Sequence, residues 1–276
     1  MPAYKASETI ARAVQSVLAQ THQAFELIIV SDDGEDYEAV LGRNGIADPR
    51  LVFTESGNIG GGSPPARNKG IDTARYRYSA ILDADDRFQQ QKLEVMLPAV
   101  AEHGLASCAL NITAPDGRVL RHVGLGENRL LAASDYKFTN FSMDSMLVYD
   151  RERVDPRFDP ALPCLTDLDF VLKLYAGTGT CYHFGTPLHD YVKMPVSVSN
   201  GPGVTEKMVA TKLLMRERLA SGHYREPFPG AFRGIDAFLD LSLEAERAFA
   251  PDGSESIPLF ENHIEPRLAN RQSTKS

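Results

Sequence analysis

The sequence predicts an α/β fold built around an open, mostly parallel sheet. Three observations carry that prediction. Short apolar runs alternate with amphipathic helical stretches over residues 7–103. Two of those runs, 25–30 and 79–82, stop abruptly in carboxylates, as buried strands do when their carboxyl ends deliver side chains to a cleft. From residue 105 the alternation gives way to hairpin-like strands and a proline-broken loop, and helices close the chain.

Taken in order, Ser7 is placed to cap a helix over 7–20, with Ile10, Ala13, Val14, Val17 and Leu18 on one face. Residues 25–30 form a buried strand ending in Ser31-Asp32-Asp33-Gly34, and 51–54 form a short strand. The run Gly57-Asn58-Ile59-Gly60-Gly61-Gly62 reads as a flexible connection, because its spacing is not the G-x-G-x-x-G of a dinucleotide cradle. Ser63 caps the next helix with Pro64 in its first position, and that helix carries Ala66, Arg67, Asn68 and Gly70. The strand at 79–82 then runs into Asp83-Ala84-Asp85-Asp86, and 92–103 is a further amphipathic helix.

Residues 106–113 and 118–123 read as strands joined by the turn Ala114-Pro115-Asp116-Gly117, followed by a strand at 141–149 and a loop at 157–163. A helix opens near Leu165, capped by Thr166 or Asp167, with Leu168, Val171, Leu172 and Tyr175 inward. Extended structure is expected at 181–184 and 188–192, helices at 204–221 and 233–249, and a frayed polar tail from 267.

The chain of 276 residues is long enough for one large α/β domain or two small ones. Its net charge of −8 disfavours a nucleic-acid partner, which would want a basic face. Cys108, Cys164 and Cys181 are far apart, odd in number and form no C-x-x-C, so a reducing compartment without structural zinc is expected. The first residues lack an apolar signal core, and no apolar run approaches the ~18 residues that span a bilayer. A cytoplasmic location follows as the expectation, with peripheral membrane contact left open.

Three carboxylates within Asp83–Asp86 repel one another, so a positive partner is expected among them. A divalent cation with hard oxygen preferences, Mg²⁺ or Mn²⁺, is one candidate, and a solvated acidic turn is the other reading. If Asp32/Asp33 and Asp83/Asp85/Asp86 end strands of one sheet, both clusters face one cleft.

These residues together resemble a family 2 glycosyltransferase. The matching text is Pro2-Ala3-Tyr4, then Ser16-Val17-Leu18-Ala19-Gln20-Thr21 and 25–34, then Asn58-x-Gly60, Ala66-Arg67-Asn68-Lys69-Gly70 and Leu82-Asp83-Ala84-Asp85-Asp86, in the family's order and spacing. Phe158-Asp159, Thr166-Asp167-Leu168-Asp169 and Pro187-Leu188-His189-Asp190-Tyr191 match more loosely. The resemblance implies the GT-A fold, a Rossmann-like nucleotide-binding sheet with a smaller mixed sheet on the acceptor side and C-terminal helices. It divides the chain into a nucleotide-sugar-binding half (1–104), an acceptor and catalytic half (105–203), a helical extension (204–266) and the tail (267–276).

The resemblance also implies roles. Ala3 and Tyr4 lie against the nucleotide base, Asp33 accepts from its ring N–H and Arg67 approaches its carbonyl. Asp83 meets the ribose or the metal shell, and Asp85 binds the Mn²⁺ or Mg²⁺ that bridges the diphosphate. The base that takes the acceptor's proton is Asp167, where the family places a Glu-Asp pair, with Asp169 as runner-up and helix capping as the rival role for Asp167. His189 as a further metal ligand stays open. The Gln-x-x-Arg-Trp pattern of processive synthases is absent, which favours single-sugar transfer. The implied activity is metal-dependent, inverting transfer from a nucleotide-diphosphate sugar, with UDP as the expected nucleotide, to a saccharide or glycolipid; a nucleotidyltransferase and a non-catalytic nucleotide-sugar-binding protein are the alternatives. Family members carry an apolar strand directly ahead of Pro-x-Tyr, whereas here Met1 precedes Pro2, so the natural start is expected a few codons upstream.

Overall fold

In a computed structural model of the protein, residues 1–135, 144–193 and 204–248 are described, together with 260, 263–264 and 266–268. Strands β1 (Pro2–Ala3), β2 (Leu27–Ser31) and β3 (Leu51–Glu55) form a parallel sheet in that order. Every residue of β2 is buried, as expected of a parallel strand covered on both faces. Helices α1 (Ile10–Leu18) and α2 (Tyr37–Arg43) cover one face through Ile10, Val14, Val17, Val40 and Leu41. Helix α3 (Ser63–Thr73) covers the other, with Ala66 against Ile28 and Val30.

The second sheet is mixed. It contains β4 (Tyr78–Ala80), β5 (Arg87–Phe88), β6 (Leu105–Thr113), β7 (Val119–Val123), β8 (Arg129–Ala132), β9 (Leu147–Asp150) and β10 (Thr180–Val192). The order is β4-β9-β6-β10-β5, with β7 added to β6 and β8 to β10; β10 runs parallel to β6 and the remaining pairs are antiparallel. Helix α4 (Lys92–His103) covers one face through Met96 and Val100, and α5 (Thr166–Thr178) covers the other through Leu168, Val171, Leu172 and Tyr175.

Helices α6 (Val204–Ala220) and α7 (Arg233–Ala248) pack on that second side, where Met215, Ile235 and Leu239 join the same core. Asp169 on α5 fastens them. Its fully buried carboxylate accepts from Tyr224 Oη at 2.7 Å and Arg218 Nη1 at 3.2 Å, and pairs with Lys173 Nζ at 2.6 Å. Between α6 and α7, Lys212 and Glu246 form a buried pair at 2.6 Å. No helix among the described residues is long and apolar enough to cross a membrane.

Several sequence expectations shift. Helix α1 starts at Ile10 behind Thr9, and Ser7 does not cap it, because the Ala6 carbonyl takes the Thr9 and Ile10 N–H groups in a preceding turn. Gly62, at φ 93°, is the N-cap of α3, so Ser63 is its first residue and Pro64 its second. The strands ahead of the two acid clusters, expected in one parallel sheet, lie in different sheets, and Ile81 and Leu82 lie beyond the β4 ladder, which ends at Ala80 opposite Val148. The strand at 141–149 begins only at Leu147, because residues 144–146 form a 3₁₀ turn, while 141–143 fall outside the described residues. The two extended stretches at 181–192 are one strand, carried across Gly185 and Pro187 by irregular pairing with β6. Helix α2 and strands β5 and β8 were not anticipated. Residues 269–276, most of the expected tail, fall outside the described residues.

No described strand lies between β1 and β4. A cavity of about 540 Å³ separates those two edges, lined largely by apolar side chains that include Met1, Leu27, Ile28, Ile71, Leu82 and Val148.

Removing Asp169 leaves Tyr224, Arg218 and Lys173 facing a buried gap. Asp169→Ala is therefore expected to destabilise the fold by about 3–5 kcal/mol, read as a lower urea midpoint. A change below ~1 kcal/mol would show that the C-terminal helices dock without this carboxylate.

Candidate active site

Helix α3 connects the two acid clusters. At its start, Asp32 Oδ2 accepts from Gly62 N at 2.9 Å while Oδ1 accepts from Ser56 Oγ at 2.6 Å. The Asp32 carbonyl also accepts from Gly60 N. A buried carboxylate at a helix N-terminus is electrostatically favourable, and here it pins the glycine run to the end of β2. That run is a fastened turn where the sequence had suggested a flexible connection.

One turn into α3, Arg67 is nearly buried, with 9% of its side chain exposed. Its Nη2 donates to both Asp83 oxygens, at 2.7 and 2.9 Å, and its Nη1 lies 3.2 Å from Asp144 Oδ2. The charge of Asp167 also acts on Arg67. Burial disfavours the arginine's charge, but the surrounding carboxylates outweigh it, led by Asp144 and Asp83, and hold the guanidinium firmly protonated. Phe158 lies over it, 5.2 Å from Cζ to the ring centroid. The neighbouring Asn68 holds Phe158 in place by bonding both its N–H and its carbonyl, at 2.8 and 2.9 Å.

The acidic stretch alternates in exposure. Asp83 and Asp85 are half-buried, and Ala84 and Asp86 are buried. Asp86 is structural: it accepts from Val192 N at 2.8 Å and meets His189 Nε2 at 3.0 Å. Burial raises Asp86 and lowers His189, so the two form a pair without net charge inside the fold. His189 is fully buried there. Asp85 differs. Burial, then the charge of Asp83, raises its pKa, and no side chain among the described residues forms an ion pair or hydrogen bond with its carboxylate. Mg²⁺-like ions are usually held by one or two carboxylates together with substrate phosphates. Asp83 and Asp85 fit that partial donor set, although among the described residues no three His, Cys, Asp or Glu side chains form a cage by themselves.

On the β1 side, Ala3 is fully buried and its carbonyl accepts from Asp32 N, while Tyr4 is 52% exposed. Asp33 accepts from Lys5 N and Tyr37 Oη on one oxygen, and from Ser31 Oγ and Glu35 N on the other. Burial works against its charge, but these bonds prevail and hold its pKa below the ordinary range. Asp33 thus already has two donors on each oxygen, and Tyr37 is pushed up to about 12, chiefly by burial.

Asp167 and Asp169 both lie in the first turn of α5, whose N-cap is Leu165 in the left-handed region at φ 54°, with no side-chain cap. Capping by Thr166 or Asp167 is therefore not what starts the helix. Asp167 is half-buried and its charge bears on Arg67 and Asp144, whereas Asp169 is committed to the C-terminal helices. The structure thus brings Asp83, Arg67 and Asp167 into one electrostatic group and holds Asp169 out of it.

Two members of the site were missed. Asp144 lies in the 3₁₀ turn before β9, only 4% exposed. Lys92, fully buried over the Phe88 ring, donates to the carbonyl of Ser145 at 2.6 Å. The available signal for Asp144 was a carboxylate directly ahead of the buried run 146–149, which was read as part of the strand.

The sequence profile described as "Glycosyl transferase family 2" matches residues 1–154. The chain is 31% identical over 207 residues to the putative teichuronic acid biosynthesis glycosyltransferase TuaG of Bacillus subtilis, covering 72% of this chain and 79% of that one. It is 29% identical over 189 residues to the amylovoran biosynthesis glycosyltransferase AmsB of Erwinia amylovora, covering 63% and 62%. Among solved structures, S. aureus TarS 1-349 in complex with UDP-GlcNAc superposes with a TM-score of 0.65 at 15% identity, covering 97% of this chain and 77% of that one, a likeness of fold.

Burial raises Asp144 to about 7; Arg67 opposes the rise, and Asp83 and Asp167 add to it. Its folded pKa thus exceeds its unfolded value, so its contribution to stability is complete below about pH 4 and is lost as pH rises through 7. In metal-free protein, Asp144→Asn is expected to flatten the fall in stability between pH 5 and 8 by up to about 1.4 kcal/mol per pH unit, measured by denaturant unfolding across that range. An unchanged slope would show that Asp144 does not titrate there.

Proposed function

The chain belongs to glycosyl transferase family 2, and we propose that it transfers a single sugar from a UDP-sugar to a saccharide or glycolipid hydroxyl, with inversion at the anomeric carbon. Its fold is GT-A, shared with TarS. The observation that carries the proposal is the grouping of Asp83, from the donor half, and Asp167, from the acceptor half, about the one buried Arg67. Support for the nucleotide comes from the UDP-GlcNAc complex of TarS. Support for the acceptor class comes from relatives named for teichuronic acid and amylovoran assembly.

In this reading Tyr4 and the backbone at Ala3 offer a surface for the base. Asp33 holds the Lys5 turn that presents Tyr4, and a base N–H reaches it by replacing one of its local donors. Asp83 takes the ribose or the metal shell, and Asp85 takes the metal. A divalent cation, Mn²⁺ or Mg²⁺, held by Asp83 and Asp85 would supply Lewis-acid stabilisation of the charge left on the diphosphate. Asp167 removes the acceptor hydroxyl's proton as that oxygen attacks the anomeric carbon from the face opposite the diphosphate. The proton moves to an Asp167 oxygen, the new glycosidic C–O bond forms, and the bond to the diphosphate breaks. Arg67, engaged by Asp83 and Asp144, shapes the electrostatics of the site and does not reach for the base.

A thermal-shift panel of nucleotide sugars with and without Mn²⁺ tests the donor. A ligand at ~100 times its dissociation constant stabilises by ~2.7 kcal/mol, and the UDP-sugars are expected to lead. With the leading donor, Asp167→Asn should lower the transfer rate by ~10²–10⁴ while donor binding is kept. A variant that transfers like wild type would remove Asp167 from the role of base.

A further inference from the structure

Arg67 is one cation among three carboxylates, Asp83, Asp144 and Asp167, which come from three separate segments. Its two ends are divided. The Nη2 end is bidentate on Asp83, and the Nη1 end faces Asp144. Asp144 is itself gripped. It is 4% exposed, the N–H of Ser145 bonds its carboxylate, and Lys92 secures its turn through the Ser145 carbonyl at 2.6 Å. Its contact with Arg67 is an ion pair and not an aligned hydrogen bond, since Oδ2 has no hydrogen-bond partner. A carboxylate so buried is a poor way to gain stability, because the desolvation cost can exceed the Coulombic gain. Its geometry instead fixes which way the guanidinium faces. A planar fork held at one end presents its other end in one orientation.

We infer that Asp144 is a positioning residue for the donor side of the site: by holding Nη1 of Arg67 it sets the orientation in which Nη2 meets Asp83. The inference rests on the reading of Asp83 as a donor ligand given above. Phe158, whose ring centroid lies 5.2 Å from Cζ and whose backbone is tied to Asn68, packs beside the guanidinium.

Asp144→Asn keeps the shape of the side chain and removes its charge. Two measurements test the role. The first needs no donor: ¹⁵N NMR of the Arg67 guanidinium should show separate, slowly exchanging Nη signals in wild type and averaged signals in Asp144→Asn. The second is calorimetric binding of UDP with Mn²⁺, expected to weaken about 10-fold or more in Asp144→Asn, as happens when groups supporting a ligand shell are lost. The binding losses of Asp144→Asn and Asp83→Asn should be non-additive in the double variant, and Asp144→Glu should restore part of the affinity. If Asp83→Asn weakens UDP binding but Asp144→Asn binds within twofold of wild type, the positioning role is overturned and the donor reading stands. If Asp83→Asn also binds like wild type, the donor reading fails and the positioning role fails with it. Unchanged Nη exchange in Asp144→Asn overturns the clamp directly.

Discussion

Burying one guanidinium among carboxylates constrains everything around it. An arginine cannot lose water without fixed partners, and it cannot shed its proton to escape the cost. Arg67 therefore demands that the residues after β4, the turn before β9 and the start of α5 all arrive near one point on α3. The three-stranded sheet supports α3 from one side through Ile28 and Val30. Asp32 holds its N-terminus, and Phe158 covers its charged residue. The two sheets thus share a common reference in this helix, although no strand joins them among the described residues.

The carboxylates sort by what already satisfies them. Asp32, Asp33, Asp86 and Asp169 each accept hydrogen bonds from defined donors and hold local structure in place. Among the described residues Asp85 has no such side-chain partner, and Asp83 has Arg67 while staying partly exposed. A carboxylate committed to several internal donors has little to give a ligand without breaking bonds. By that criterion the candidate ligand groups reduce to Asp83 and Asp85, with Asp167 as the candidate base across the site. Asp33, expected to meet the base, could do so only by exchanging one of its local donors.

Much of the layout was legible because hydrophobic period and acid placement are local signals. Strand β2, but for Ser31, and the helices α4 and α5 followed from apolar spacing. That the strand ahead of Asp83 joins the mixed sheet was not legible, since pairing of β4 with β9 joins residues about 70 apart and leaves no local mark. Asp144 escaped for the same reason. Its partners, Arg67 and the turn held by Lys92, lie far away in sequence, and beside 146–149 it looked like the first residue of a strand. The glycine run showed the opposite failure. Its composition suggested looseness, whereas Asp32, thirty residues upstream of Gly62, ties it down.

The choice between Asp167 and Asp169 shows how remote packing enters the chemistry. Two residues apart on a helix, the side chains point about 200° from each other. The same register that turns Asp169 inward to Tyr224 and Arg218 turns Asp167 to the opposite side of α5, where its charge reaches Arg67 and Asp144. Arg218 also pairs with Asp159 at 2.6 Å, next to the Phe158 that covers Arg67. Helix α6 is thereby bonded to both segments that flank the site. Its docking sets the rotation of α5 about its axis and the position of the 158–159 loop together. The C-terminal helices, which contribute no residue to the proposed chemistry, are in this way part of what places the candidate base.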